Sequence, residues 1–264
     1  MCVTIANSLM AETIIMLHRV VIDGVHYHIL GYQCTVQNLS TGPNAMILHI
    51  PSRTEMSHKN LLETSHAPSI LKNISQAIPK ILTRGMSDNG PKDLGRVTIF
   101  EHGIYAVVST QDPYLAYDAL QLVPVNKRPN ISRSFLEYYA KARPGWTLQI
   151  CCFDNSEAGT ATPLLWKFEP IDPDTYTLPM IDAHDGGVSR NGVDVHRDHV
   201  LAIGYNDYQF GERVSYSEHL GNLASVLPQY VYGERKDGRS PNGDYTVSQA
   251  SINLRRFDLQ LLPA

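Results

Sequence analysis

No stretch of this chain approaches the ~20 consecutive apolar residues needed to span a bilayer. The most hydrophobic early region is interrupted by Asp23, Gly24 and several histidines. The opening Met-Cys-Val-Thr-Ile-Ala-Asn-Ser-Leu-Met-Ala-Glu lacks the basic start and continuous apolar core of a signal peptide. Charge of one sign is scarce as well. A formal net charge of -4 over 264 residues gives no electrostatic reason to expect nucleic acid or an anionic membrane as a partner. The four cysteines, Cys2, Cys34, Cys151 and Cys152, show no C-x-x-C spacing, and adjacent cysteines seldom bridge each other because disulfide geometry resists it. These absences point to a soluble, cytoplasmic protein whose partner is a small-molecule substrate or another protein. There is no P-loop, no G-x-G-x-x-G after a strand, no G-x-S-x-G elbow and no H-E-x-x-H, so the common nucleotide-binding and serine-hydrolase readings lose ground. No internal repeat or low-complexity tract is visible.

What is present reads as a folded α+β chain. The hydrophobic fraction of 43% and charged fraction of 18% argue for a packed core rather than disorder. Residues 14–21 and 25–30 read as two strands joined at Asp23-Gly24, a pair that tolerates the positive φ of a tight hairpin. His26 and His28 share one face of the second strand, expected to be a solvated polar face. Residues 45–50 read as a third strand beside the hairpin. Apolar positions from Ile70 to Leu82 recur at helical spacing, with Pro79 ending or kinking the helix. Residues 86–95, around Gly90-Pro91, read as a loop or sub-boundary within one domain spanning 1–264.

Further strands are expected at 96–100, 103–109, 146–153, 164–168, 176–183, 200–205 and 252–262. Helices are expected at 132–142, with Ser132 as N-cap, and near 218–227. Arg235 to Arg239 reads as an exposed charged loop. The sum is a strand-rich α+β fold of mostly antiparallel sheet with two or three helices, because short separations favour antiparallel pairing.

The densest set of carboxylates and imidazoles runs from Asp182 to His199. Read as a β-hairpin with arms 179–185 and 193–201, it would oppose His184 to Asp194 and Asp182 to His196, placing all of them on one face. A slip of one residue would divide the set between two faces. The mixed His and Asp donors suit zinc, iron or manganese, with His184, His196 and Asp198 as ligands. Asp182 or His199 would then handle protons on a metal-bound water, the chemistry of a metal-assisted hydrolase acting on a small polar substrate. The same pairs also suit metal-free acid/base work, His184 or His199 acting as base with a carboxylate orienting it.

Two alternatives stand beside this reading. Cys2 follows Met1 directly, and removal of the initiator would expose a thiol whose own α-amino group serves as base, as in an N-terminal cysteine amidohydrolase. The other is a non-enzymatic binding or assembly protein in which the Asp and His residues are turn chemistry. Cys151-Cys152 lies in an apolar strand and is expected to be core, as are Trp146 and Trp166.

Overall fold

A computed structural model describes residues 2–39, 41–78, 92–94, 97–157, 159, 161–206 and 211–263. The chain opens with β1 (Cys2–Thr4), the long hairpin of β2 (Ser8–Ile22) and β3 (Val25–Asn38), then β4 (Pro43–Ile50) and helix α1 (Ile70–Ala77). A meander of β5 (Lys92–Leu94), β6 (Val97–His102) and β7 (Tyr105–Thr110) leads to helices α2 (Pro113–Leu120) and α3 (Arg133–Ala142). Next come β8 (Thr147–Asp154), β9 (Leu164–Phe168), β10 (Thr175–Leu178), β11 (Asp182–Ala183), β12 (Asp194–Tyr205) and β13 (Glu212–Arg213). The last elements are β14 (Tyr230–Pro241), β15 (Tyr245–Ser248), helix α4 (Gln249–Asn253) and β16 (Gln260–Leu261).

The strands form three sheets. One has seven strands in the order β11-β1-β4-β8-β7-β6-β5, one has six in the order β13-β14-β12-β2-β3-β9, and the third is β10-β15-β16. The architecture is a strand-rich α+β fold, as the sequence suggests. Alternation along β2 explains the layering. Ile15 and Leu17 join a core shared with the seven-stranded sheet, α2 and α3, whereas Ile14 and Met16 face a second core under α1. A strand covered on both faces needs an unbroken apolar run, which Ile14 to Leu17 supplies. Cys151 and Cys152 are both fully buried for the same reason. No described helix is long and apolar enough to cross a membrane.

Several local signals act as expected. Asp23 and Gly24 take φ of 52° and 77° at the hairpin turn. The Ser132 hydroxyl accepts a hydrogen bond from the Phe135 N–H at the start of α3, and Trp166 is core. Other expectations are corrected. The strand at 43–50 lies in the seven-stranded sheet rather than beside the hairpin, and β8, β9 and β10 belong to three different sheets. Residues 176–183 break after Leu178 at Pro179, a residue that cannot donate to a ladder. The region near 218–227 is only a 3-10 turn over Gly221–Ser225, and Gly221 enters it at φ 50°. The expected charged loop at 235–239 is part of β14. The 252–262 strand is helix, turn and the short β16. Helix α2, unforeseen, carries the signature of Asp112 capping the Tyr114 and Leu115 N–H groups ahead of Pro113. Residues 86–91 and 95, and the kink expected at Pro79, lie outside the described residues; 92–94 pairs with 97–99 as strand.

His28 is a further correction. It is buried, stacked on Tyr176 with ring centroids 5.2 Å apart and set edge-on to Phe168. The face read as solvated is covered by the three-stranded sheet. Burial lowers the His28 pKa to about 4.

Candidate active site

The short strand β11 is fixed by side chains from the β14–β15 connection. Asn242 accepts from the Asp182 N–H and donates to the Asp182 carbonyl, both at 2.7 Å. Asp244 accepts from the Met180 and Ile181 N–H groups at 3.0 and 3.1 Å and from Arg143 Nε at 3.1 Å. Arg197, buried on β12, donates to the Met180 carbonyl, to Ser240 Oγ and to the Pro241 carbonyl. An edge segment of two residues cannot hold itself by ladder bonds alone. This polar scaffold satisfies the backbone groups that the ladder leaves over.

Held this way, β11 pairs in parallel with β1, with Cys2 opposite Asp182 and Val3 opposite Ala183. Past His184 the chain turns at Gly186, φ 79°, where a Cβ would sit 2.5 Å from the Ile5 carbonyl oxygen. Only glycine allows that approach to the segment following β1. The His184 carbonyl accepts from the Ser8 N–H, tying the turn to the start of β2.

The hairpin expected between 182 and 199 is not formed. β12 pairs with β14 along its whole length, antiparallel, and with β2 from His199 to Gly204, parallel, while β11 pairs with β1 instead. Asp194 faces Pro241 and His196 faces Arg239 in register, instead of His184 and Asp182. Alternation along β12 turns Arg197 and His199 inward and leaves His196 and Asp198 exposed on the opposite face. Asp198 Oδ2 accepts the Glu12 N–H at 2.9 Å, at a β-bulge where Glu12 takes φ 53°. The ligand set expected of the hairpin, His184, His196 and Asp198, is therefore divided between two faces. Among the described residues no group of three or more His, Cys, Asp or Glu side chains is placed to hold a metal ion.

What the structure does bring together is Asp182 and His184, with His199 near enough to feel their charges. Asp182 Oδ1 lies 2.7 Å from His184 Nε2; the carboxylate side chain is 6% exposed and the imidazole 28%. Burial alone would push the Asp182 carboxyl up, but the hydrogen bond and charge of His184, with a further contribution from His199, outweigh it and hold the group below its ordinary value. His199 is buried, and the loss of solvation holds its pKa well below the ordinary imidazole range. Its Nδ1 accepts from the Asp198 N–H at 3.2 Å, while Nε2 is buried with no hydrogen-bond partner.

Of the predicted residues, then, Asp182 and His184 meet, and His199 is buried on the inward face of β12 within reach of their charges. Cys2 is their neighbour by backbone register, its side chain lying outside the described part of the structure. Cys34, Cys151 and Cys152 are buried, and burial raises the Cys151 and Cys152 thiols far above the ordinary range. Sequence reasoning missed Arg143, Arg197, Asn242 and Asp244. The visible signal was Asn242-Gly243-Asp244, which reads as a turn, and its side chains do bind backbone groups, though distant ones.

No protein-family model matches the chain, and no curated protein matches it significantly. Two crystal structures of a mutated baculovirus P35 after caspase cleavage are distantly similar to it. The one at 3.1 Å resolution is 13% identical, with 90% of this chain and 97% of that chain covered and a TM-score of 0.47. For the one at 2.7 Å the values are 14%, 91%, 92% and 0.39. A likeness of this depth assigns neither family nor function.

Proposed function

We propose that the protein carries out thiol-centred acyl chemistry, of the kind an amidohydrolase or esterase performs, with Cys2 as nucleophile, His184 as general base and Asp182 as the group that orients the base. One observation carries this reading: Asp182 is the register partner of Cys2 across two parallel strands, and the same carboxylate holds His184 at 2.7 Å. The ionised Asp182 carboxylate, 2.7 Å from the ring, stabilises the imidazolium that forms when His184 takes up the thiol proton. This base replaces the α-amino group considered from sequence, so the chemistry does not require Met1 to be removed. The substrate class is a small activated acyl compound.

The test is alkylation of the native protein with iodoacetamide at pH 7, read by intact mass. Because Cys34, Cys151 and Cys152 are buried, the native rate reports Cys2. Cys2→Ser should abolish labelling and His184→Ala should slow it at least ~10-fold, the low end of general-base effects. Equal rates in wild type and His184→Ala would remove the reading.

A second reading, a binding or assembly protein, draws on a different observation. Arg197, Asn242 and Asp244 direct their polar atoms largely to backbone groups, as scaffold residues do. Ordinary thiol reactivity of the native protein would favour it.

A further inference from the structure

We infer that Asn242 is a self-modification site: its amide is lost by cyclisation onto the Gly243 nitrogen whenever the β14–β15 connection opens, and the carboxylate left behind cannot clamp β11 again. The chemistry does not involve Cys2. Asparagine before glycine suits this reaction, because a nitrogen with no Cβ beside it reaches the side-chain carbonyl carbon unhindered. At Asn242 the fold demands both halves of the pair. Gly243 takes φ 143°, which residues with a Cβ rarely adopt, and a Cβ there would collide with Asn191 Oδ1. Asn242 both accepts from the Asp182 N–H and donates to the Asp182 carbonyl, at 2.7 Å each, and is 2% exposed. An amide can do both, whereas a carboxylate has no hydrogen to donate. Aspartate at this position would set a negative oxygen against the Asp182 carbonyl oxygen, with buried Asp244 two residues on.

The folded state holds the reaction off. Both the carbonyl oxygen of the Asn242 side chain and the nitrogen that would leave are held by Asp182. The Asn242 backbone is tied to a second Asn-Gly pair, Asn191-Gly192: its N–H donates to the Val193 carbonyl at 2.8 Å, and its carbonyl accepts the Gly192 N–H at 2.7 Å. Once the connection opens, the Gly243 nitrogen gives up its proton to solvent and bonds to Asn242 Cγ. The Cγ–Nδ2 bond breaks and the nitrogen departs as ammonia, leaving a cyclic imide. Water then opens the ring at either carbonyl to give aspartate or isoaspartate. In sum, an amide and a water become a carboxylate and ammonium. With opening and closing fast, the rate follows the population of the open form, so the chain records the time it has spent open.

The test is to age the wild-type chain at mildly alkaline pH, native and in urea, and to follow position 242 by peptide mapping. Native conversion should run at least ~10-fold slower than in urea, because opening breaks two side-chain hydrogen bonds. Chains aged in urea are then returned to native buffer and separated by charge. Those carrying acid at position 242 should exchange the amides of residues 180–184 at least ~10-fold faster than those keeping the amide. Asn242→Asp should reproduce that exchange. Asn222→Asp, which adds the same charge at an exposed position, should leave it at the wild-type rate. If Asn242→Asp does not fold, acid at position 242 should be missing from the refolded fraction of aged wild type. A native conversion rate within about twofold of the rate in urea overturns the inference. So does acid at position 242 in refolded chains whose 180–184 amides exchange at the wild-type rate.

Discussion

Asp182 and Asp244 are both buried, 7% and 0% exposed, yet they are used differently. Asp244 is met by a guanidinium and two backbone N–H groups, none of which changes protonation near neutral pH. It acts as a fastener between α3, the β14–β15 connection and the segment entering β11. Asp182 has its backbone secured by Asn242, so its carboxylate is left to meet an imidazole that reaches partly into solvent. The difference teaches how to sort buried polar residues. Those saturated by fixed donors hold the structure, and those matched to a titratable, partly exposed partner are available for chemistry.

The hardest way to break the comparison is at the fastener. Asp244→Ala strands the Arg143 charge and two buried N–H groups, and should cost about 3–5 kcal/mol, the range for removing one partner of a buried ion pair. Urea unfolding measures it. Next comes acid. His49, in the field of Asp244, and His28 are both lowered by burial to about 4. Their folded pKa lies below the unfolded value, so the unfolded state binds more protons in this window. Their contribution is fully present above about pH 6.5 and is lost as pH falls toward 4, at up to about 1.4 kcal/mol per pH unit for each. Unfolding curves between pH 7 and 4 should show that slope, and His49→Phe should flatten it.

Asp182→Asn sharpens the comparison from the other side. The near-isosteric change should cost about 1 kcal/mol or less in stability, within the common range for single substitutions, while slowing Cys2 alkylation ~10-fold through loss of the orienting charge. The smallest effect is expected at the outer face of β12. His196→Ala should shift stability by no more than about 0.5 kcal/mol and leave alkylation untouched. A large effect on either would return His196 to the site.

Much of the fold is legible where local chemistry decides it. Asp23-Gly24 demands a turn, Ser132 supplies a cap, and the apolar run at Ile14 to Leu17 fits a doubly covered strand. The candidate site was legible as composition only. Asp182, His184 and His199 are marked by residue type, but their grouping depends on β11 joining β1 and on β12 inserting between β2 and β14. Both are parallel pairings or long-range insertions that no nearby residue encodes. Asp-Gly-Gly and Asn-Gly between two polar arms imitated a hairpin, because turn residues specify a bend without specifying what the arms pair with. His28 was misread for a related reason: period-two alternation separates two faces and does not say which has a layer above it.

The parallel register of Cys2 with Asp182 joins positions 180 residues apart, and that of Thr13 with His199 joins positions 186 apart. Contacts of such separation close late, since loop entropy must be overcome before they form. During synthesis the amino-terminal strand emerges first and can meet β4 early, but its other neighbour is translated only after two-thirds of the chain. A nascent or truncated chain therefore carries β1 without β11, and Cys2 gains Asp182 as its register partner only after residues beyond 182 have been made.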